Sequence, residues 1–258
     1  MVPNILPNWA RLTLSILTVT SYLPQYHRLR EQGHCDGLSL FYVLFNLISA
    51  TEQFTIGLFL NVNDNGFPRP DVFVNNPATV GDWLNFGQLA LVWLCSLLIR
   101  GHRLAASAIY VVFLLISLIP VVLDTLQPPV RSEPRRWVEE VFILFHYLLI
   151  LPASTIATVS ATVPQACEIW SSTEAGALSL PGLAAQTVVF ALVAISWMIR
   201  VKYPPYLPSW AEWYRLIGWP VVNNGILALV QGVLLLVALR SAGGEGLLEP
   251  EGQPLLGD

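Results

Sequence analysis

Residues Ser21–Asn46 read SYLPQYHRLREQGHCDGLSLFYVLFN, and a second copy of this pattern lies far downstream. That copy, Thr162–Gln186, reads TVPQACEIWSSTEAGALSLPGLAAQ. The offset that places Pro24-Gln25 on Pro164-Gln165 also places one LSL tripeptide on the other without a gap. Two separate matches in unbroken register indicate that one structural unit is duplicated in this chain.

Paired amide residues extend the duplication beyond these two stretches. The same offset pairs Asn46 with Gln186. Further along, NFGQLALV begins at Asn85 and NNGILALV begins at Asn223, and six of these eight positions are identical. Four amides therefore recur at equivalent positions of two copies, and we expect the function to lie where the copies meet.

Composition excludes most soluble classes of protein. Apolar residues make up 54% of the 258 residues and charged residues only 12%, whereas an ordinary globular domain has about 25% charged residues. The net charge of −4 provides no basic surface, so a nucleic acid is not an expected partner. The expected partner is instead the lipid bilayer, and the chain is predicted to be an integral, multi-pass membrane protein.

Seven segments are apolar and long enough, or nearly so, to cross a bilayer. They are Trp9–Tyr26, Leu40–Leu60, Asp82–Ile99, Leu104–Leu123, Val138–Val163, Leu180–Ile199 and Gly218–Leu239. Arg11, near the start of the first span, is expected at the membrane interface. Pro152 is expected to kink the fifth span, because proline removes a hydrogen-bond donor from the helix.

The span count and the duplication together define the fold class and the domain organisation. We predict an all-α integral membrane protein in which two parallel three-helix repeats are joined by a linker helix, because an odd linker leaves both copies running in the same direction. The predicted divisions are a first repeat, a linker with its loop, a second repeat and a disordered Gly-, Glu- and Pro-rich tail. They cover residues 1–103, 104–136, 137–240 and 241–258.

The recurring amides are the predicted substrate-binding residues, since an amide inside hydrocarbon is costly unless it is paired. They are Asn46, Asn85, Gln186 and Asn223. Around Asn46, the residues Ser49, Ala50 and Gln53 share one helical face that should point inward. Two interpretations stay open, a central cavity lined by amides or interhelical hydrogen bonds that only hold the bundle together.

Two further groups of residues are candidates for motion and for proton transfer. The duplicated Pro24-Gln25 and Pro164-Gln165 weaken the first helix of each half, which predicts a matched pair of hinges, although ordinary helix termination is the alternative. Glu52 and His146 are the ionisable residues deepest in apolar sequence. Each is a candidate proton carrier or a packing residue with satisfied hydrogen bonds.

The two Pro-Gln units with their trailing LSL tripeptides resemble the PQ-loop repeat family, which includes SWEET sugar transporters, cystinosin and the KDEL receptor. The resemblance is closest to fungal members. It implies two three-helix units joined by an inverting helix, alternating access around a central site, an exoplasmic amino terminus and a cytosolic tail. One departure is clear: Ser154–Val163 contains no carboxylate, whereas amino acid exporters of the cystinosin type carry a proton-coupling aspartate there.

These observations predict a transporter of a small polar organic solute, with an amino acid expected first and a sugar second, and with protons as candidate co-substrates. The alternatives are a sorting receptor or other non-transporting membrane protein, and a small membrane-embedded enzyme. No cofactor, metal or enzymatic activity is expected, because HExxH, GxSxG and phosphate-binding glycine motifs are missing from the sequence.

The tail adds a prediction about location. Glu251, Leu255 and Leu256 form an acidic dileucine pattern that resembles a sorting signal read by cytosolic adaptors. It favours a vacuolar, lysosomal or other endomembrane location, although so short a motif also arises by accident.

Overall fold

A computed structural model describes residues 5–62, 73–75, 77–99, 104–126, 133–171, 177–201 and 209–245. Within these ranges every regular element is helical. Five helices are continuous: α1 (Asn8–Gln32), α2 (Leu40–Val62), α3 (Val80–Leu98), α4 (Leu104–Thr125) and α6 (Leu180–Arg200). The predicted all-α fold with seven helices is confirmed.

The other two helices, α5 and α7, each contain a π-helical turn. α5 consists of Glu133–Phe145, the π turn His146–Ile150, Leu151–Ser160 and Thr162–Ser171. α7 consists of Trp210–Trp213, the π turn Tyr214–Gly218 and Trp219–Glu245. The π turn of α5 ends directly before Leu151-Pro152, so the irregularity expected at this proline takes the form of a widened turn.

Helix ends follow from local chemistry. α1 continues past its predicted end at Tyr26, with Pro24 inside the helix, and ends at Gly33, whose φ of 68° is the left-handed conformation that glycine adopts easily. A capping box of Thr79 and Asp82 begins α3. α7 runs on to Glu245, past the predicted start of the tail, and the rest of the tail lies outside the described residues.

Among the described residues, five helices are long and apolar enough to cross a membrane, by length and composition. The candidate spans are Leu40–Val62, Ala106–Thr125, Trp137–Ser171, Leu180–Arg200 and Trp210–Ser241. Two of the seven predicted spans, α1 and α3, are not among them. In α1 the reason is a polar stripe from Arg11 to Gln25 that is buried against the other helices.

The outer face of α1 is apolar, whereas the face that packs against the other helices is polar. Leu12, Ile16 and Leu23 are each more than half exposed, while Ser15 and Thr18 are buried on the opposite face. A helix in water buries its apolar face instead. This inverted arrangement fits a helix whose outer face contacts lipid.

The helices pack as two similar three-helix groups, which we call unit one (α1–α3) and unit two (α5–α7). In each unit the third helix contacts the first and the second. Between units, α1 packs on α6 and α2 packs on α5, so the first helix of each unit meets the second helix of the other. α4 packs mainly on α2. This reciprocal contact pattern is what two related units produce when a rotation brings them face to face.

Candidate functional site

Gln25, the glutamine of the first Pro-Gln pair, reaches from unit one into unit two. Its Nε2 donates to the carbonyl of Ala177 at 2.7 Å, and its Oε1 accepts from the backbone N–H of Ser179 at 2.9 Å. The side chain is buried. A single amide thus satisfies two backbone groups of the segment that leads into α6.

Gln165, the glutamine of the second pair, makes the same bonds in the opposite direction. Its Nε2 donates to the carbonyl of Gly37 at 2.8 Å, and its Oε1 accepts from the N–H of Ser39 at 2.9 Å. Under the sequence offset, Gly37 and Ser39 are equivalent to Ala177 and Ser179. The two glutamines therefore form a pair of reciprocal clamps between the units, at what we call the Pro-Gln end of the bundle.

A small cavity of about 50 Å³ lies between the units. It has room for a few water molecules. On α2 its lining runs from Tyr42 to Gln53, the part of that helix nearer the Pro-Gln end. The cavity shares Val43 and Ile99 with a larger groove at that end, so it continues toward the Pro-Gln end rather than the opposite one.

Amides and hydroxyls supply the polar lining of this cavity. Its amides are Asn46, Gln53, Gln186, Asn223 and Gln231. Its hydroxyls are Tyr22, Tyr42, Ser49, Ser96 and Thr158. Among the described residues that line it, none carries a formal charge. The predicted inward stripe of α2 is confirmed as a wall of the cavity.

Asn223 lines the cavity, and its buried side-chain N–H group is available to bind a solute. Its Oδ1 accepts from the hydroxyl of Thr155 at 2.7 Å, whereas its Nδ2 has no hydrogen-bond partner within the described ranges. The residue is only 5% exposed, so this donor is held away from bulk water. A buried amide N–H beside a cavity can bind an acceptor oxygen of a solute.

The other two lining amides of the predicted set make weaker or more local bonds. Asn46 Nδ2 donates to the carbonyl of Tyr42, one turn earlier on the same helix, at 2.7 Å. Gln186 Nε2 donates across the units to the carbonyl of Ser21 at 3.5 Å. The side-chain oxygen of each of these amides can also accept a hydrogen bond.

Asn85, the fourth predicted binding residue, lies in a different cluster. Its Oδ1 accepts from Arg200 Nη1 at 3.2 Å, and the same guanidinium donates to Gln88 Oε1 at 2.6 Å and to Ser196 Oγ at 2.8 Å. Arg200 is 2% exposed. The cluster joins α3 of unit one to α6 of unit two at the end of the bundle opposite the clamps, which we call the Arg200 end.

Two buried arginines at the Arg200 end were not predicted. Arg200 stacks over the ring of Trp197, 4.8 Å from its centroid, which is a favourable cation–π contact. Arg11, expected at the interface, is instead 2% exposed on the polar face of α1. It lies close enough to Asp82 and Arg200 to interact with both electrostatically. An arginine close to a tryptophan at the end of a span is typical of an anchor at the membrane interface. The sequence therefore does not predict that these arginines are buried.

Glu52 and His146, proposed separately as candidate proton carriers, form one buried pair. His146 Nδ1 lies 3.0 Å from both carboxylate oxygens of Glu52. Their side chains are 0% and 1% exposed. The pair joins α2 of unit one to the π turn of α5 in unit two. The candidate sorting residues Glu251, Leu255 and Leu256 lie outside the described residues.

Part of the chain matches a known protein family. Residues 8–65 match the family model described as PQ loop repeat. These residues include Pro24-Gln25, the clamp partners Gly37 and Ser39, and all of α2. The chain therefore contains a PQ-loop repeat over these residues. No curated protein and no solved structure matches it, so the closeness to fungal members stays a prediction.

Proposed function

We propose that this protein is a transporter that moves a small polar organic solute across a membrane by alternating access. The observation that carries the proposal is the cavity between the two units, with its amide and hydroxyl lining and the unused donor of Asn223. A site at the interface of two repeats can be exposed to either side when the units tilt against each other. The family assignment supports the same class of function.

The uncharged lining favours a solute without net charge. A buried amide or hydroxyl can bind hydroxyl, amino and carboxylate groups, but it cannot neutralise a full charge inside the bilayer. We therefore propose neutral amino acids as the first substrate class and sugars as the second. Cationic and anionic amino acids are expected to be poor substrates.

The clamps support the hypothesis that the Pro-Gln pairs are hinges. Pro24 and Pro164 each precede a glutamine that is bonded to the opposite unit. We propose that the Pro-Gln pairs act as pivots, because each proline weakens a helix directly beside a fixed point. At the Arg200 end, the bonds of Arg200 to Asn85 and Gln88 hold the units closed, and these bonds would break when the site opens there.

Uptake into proteoliposomes tests the proposal. Purified protein is reconstituted and supplied with radiolabelled glutamine, glucose, lysine and glutamate. We expect uptake of glutamine or glucose and little uptake of the two charged amino acids. Asn223→Ala should reduce that uptake on the order of tenfold, since one lost hydrogen bond to a solute is worth about 1.4 kcal/mol.

Asn224→Ala is the matched control. Asn224 is buried on the same helix and its Nδ2 donates to the carbonyl of Pro220, but it does not line the cavity. Its replacement should leave uptake unchanged. Equal losses in both variants would argue against the cavity as the binding site. Saturable binding of a solute without any uptake would favour the receptor alternative.

We propose an endomembrane location, vacuolar or lysosomal, on the tail pattern alone. The test is the distribution of a fluorescently tagged chain in cells before and after Leu255→Ala and Leu256→Ala. A shift to the plasma membrane supports adaptor binding at the tail. An unchanged distribution means that the pattern is accidental.

A further inference from the structure

The Glu52–His146 pair is the buried titratable group that the proposed solute site leaves unexplained. Its two side chains come from different units, and they approach within 3.0 Å at both carboxylate oxygens. A carboxylic acid and an imidazole that share one proton are neutral together, whether the proton is on oxygen or on nitrogen. Gain or loss of one proton therefore changes the net charge of the pair.

One atom of the pair has an unused capacity for hydrogen bonding. His146 Nε2 is buried and has no partner among the residues that the structure describes. If His146 served only to satisfy Glu52, this nitrogen would usually be bonded to a backbone carbonyl or a second side chain. His146 also begins the π turn of α5, and such turns occur frequently at functional sites.

A chain of hydroxyl groups runs from Tyr214, which interacts electrostatically with the pair, to the solute cavity. The Glu52 carboxyl interacts electrostatically with Tyr214, and the Tyr214 hydroxyl lies 2.6 Å from Thr155 Oγ1. The hydroxyl of Thr155 is bonded to Asn223 Oδ1 at 2.7 Å, and Asn223 lines the cavity. A change in the charge of the pair can thus be transmitted to a predicted solute ligand.

Aromatic rings cover the opposite side of the pair. The ring of Phe142 stacks on His146, with centroids 4.2 Å apart, and on Phe59 of α2 at 4.1 Å. These rings belong to the apolar cluster between the units. Separation of α2 and α5 would open this cover, so we expect the access of water to the pair to change with the arrangement of the units.

The neighbouring elements bring few competing charges. His146 from α5 and Tyr214 from α7 act on Glu52 in the described part of the chain. From α4, the Tyr110 hydroxyl lies 3.2 Å from Thr51, and Asp124 is buried near the far end of that helix. From α3, Asp82 is held by the capping box.

We propose that Glu52 and His146 together form a proton-binding site that couples proton movement to solute transport. This inference rests on the proposed transport function. One proton enters the pair from water on one side of the membrane and leaves to water on the other side, so the cycle changes no covalent bond.

Infrared difference spectroscopy tests proton binding without a solute. Purified protein is titrated from acidic to alkaline pH while the C=O stretch of protonated carboxyl groups is recorded. We expect a band that appears on acidification, is lost in Glu52→Gln and shifts in His146→Gln. A spectrum with the same band in Glu52→Gln would overturn the assignment, whatever the outcome of the uptake experiments.

Proteoliposomes test the coupling itself. With labelled glutamine or glucose as the probe, a gradient of one pH unit should drive about tenfold accumulation if one proton moves with each solute molecule. Glu52→Gln should abolish this accumulation while solute exchange at equal pH persists. Accumulation that survives in Glu52→Gln contradicts the proposal. Loss of exchange in Glu52→Gln as well would also contradict the proposal, because Glu52 would then be needed for solute movement itself. Absence of any uptake by the unaltered protein would instead contradict the proposed transport function.

Tyr214→Phe and Tyr110→Phe form a matched pair that does not disturb the carboxyl or the imidazole. The first removes the hydroxyl that is hydrogen-bonded to Thr155 and interacts electrostatically with Glu52, and we expect it to lower gradient-driven accumulation several-fold. The second removes a hydroxyl beside Thr51 that does not lead to the cavity, and we expect no change. Equal behaviour of the two variants would exclude the hydroxyl chain as the coupling route.

Discussion

The two ends of the bundle differ in how they use the duplication. At the Pro-Gln end, Gln25 and Gln165 make the same two bonds to equivalent backbone groups of the opposite unit. At the Arg200 end, the position equivalent to Arg200 is Leu60, which packs against the apolar cluster. One end thus keeps the symmetry of the repeats, and the other has lost it.

This difference makes the two ends of the bundle structurally unequal. Reciprocal clamps bind both units equally and favour neither. The Arg200 cluster joins α3 to α6 by charge-assisted bonds, while the related position holds aliphatic and aromatic contacts. Separation of the units at the Arg200 end must therefore disrupt unlike interactions on its two sides, polar ones on one side and apolar ones on the other.

The largest expected effect comes from breaking the asymmetric end. Arg200→Leu leaves Asn85 and Gln88 buried without their donor, and hydrogen bonds to a charged group are worth about 1.5–3 kcal/mol each. We expect the free energy of unfolding to fall by about 3 kcal/mol or more, measured by thermal unfolding in detergent. The control is Leu60→Met, a nearly volume-conserving change expected to cost less than about 1.5 kcal/mol. Equal effects would mean that the Arg200 cluster contributes nothing special.

The symmetric end should respond equally to changes in either copy. Gln25→Leu and Gln165→Leu each remove two buried hydrogen bonds between the units, and we expect each to lower the free energy of unfolding by about 1–3 kcal/mol. The two losses should agree within about 0.5 kcal/mol, since the partners and geometry are equivalent. A large loss in one variant and none in the other would show that the clamps are not equivalent.

The smallest effect concerns accessibility rather than stability. Cys35 and Cys167 line the groove at the Pro-Gln end, where Cys167 is exposed and Cys35 is partly buried, whereas Cys95 is buried. A maleimide should label Cys167 first, Cys35 more slowly and Cys95 only after unfolding, as read by mass spectrometry. Rapid labelling of Cys95 in the folded protein would contradict the packing of α3.

Sequence reasoning located the important glutamines but not their partners. The repeat indicates Gln25 and Gln165. The matched LSL tripeptides contain Ser39 and Ser179, whose backbone N–H groups are hydrogen-bond partners of these glutamines. A repeat identifies equivalent positions within each copy, but it does not state that one copy binds the other. That information appears only when the units are packed together.

The same limit explains the predictions about polar residues. Asn85 and Asn223 are equivalent in sequence, yet Arg200 binds the first and Thr155 binds the second. The two copies differ at the positions of these partners, since the residue equivalent to Arg200 is Leu60. The sequence predicts that Glu52 and His146 each lie deep in an apolar span, but not that they contact each other, because they are far apart in the chain. Helical periodicity shows which residues share a face of one helix, but it does not show which faces of two helices are in contact.

The inverted polarity of α1 has a consequence for how the chain is made. Its polar face, from Thr18 through Gln25, is satisfied by Gln88 of α3 and by Gln186, Ala177 and Ser179 of unit two. When the ribosome has completed only unit one, most of these partners do not yet exist. The contacts of α1 with Ala177, Ser179 and Gln186 can therefore form only after α6 has been synthesised, so the helix that is made first reaches its final packing late in biogenesis.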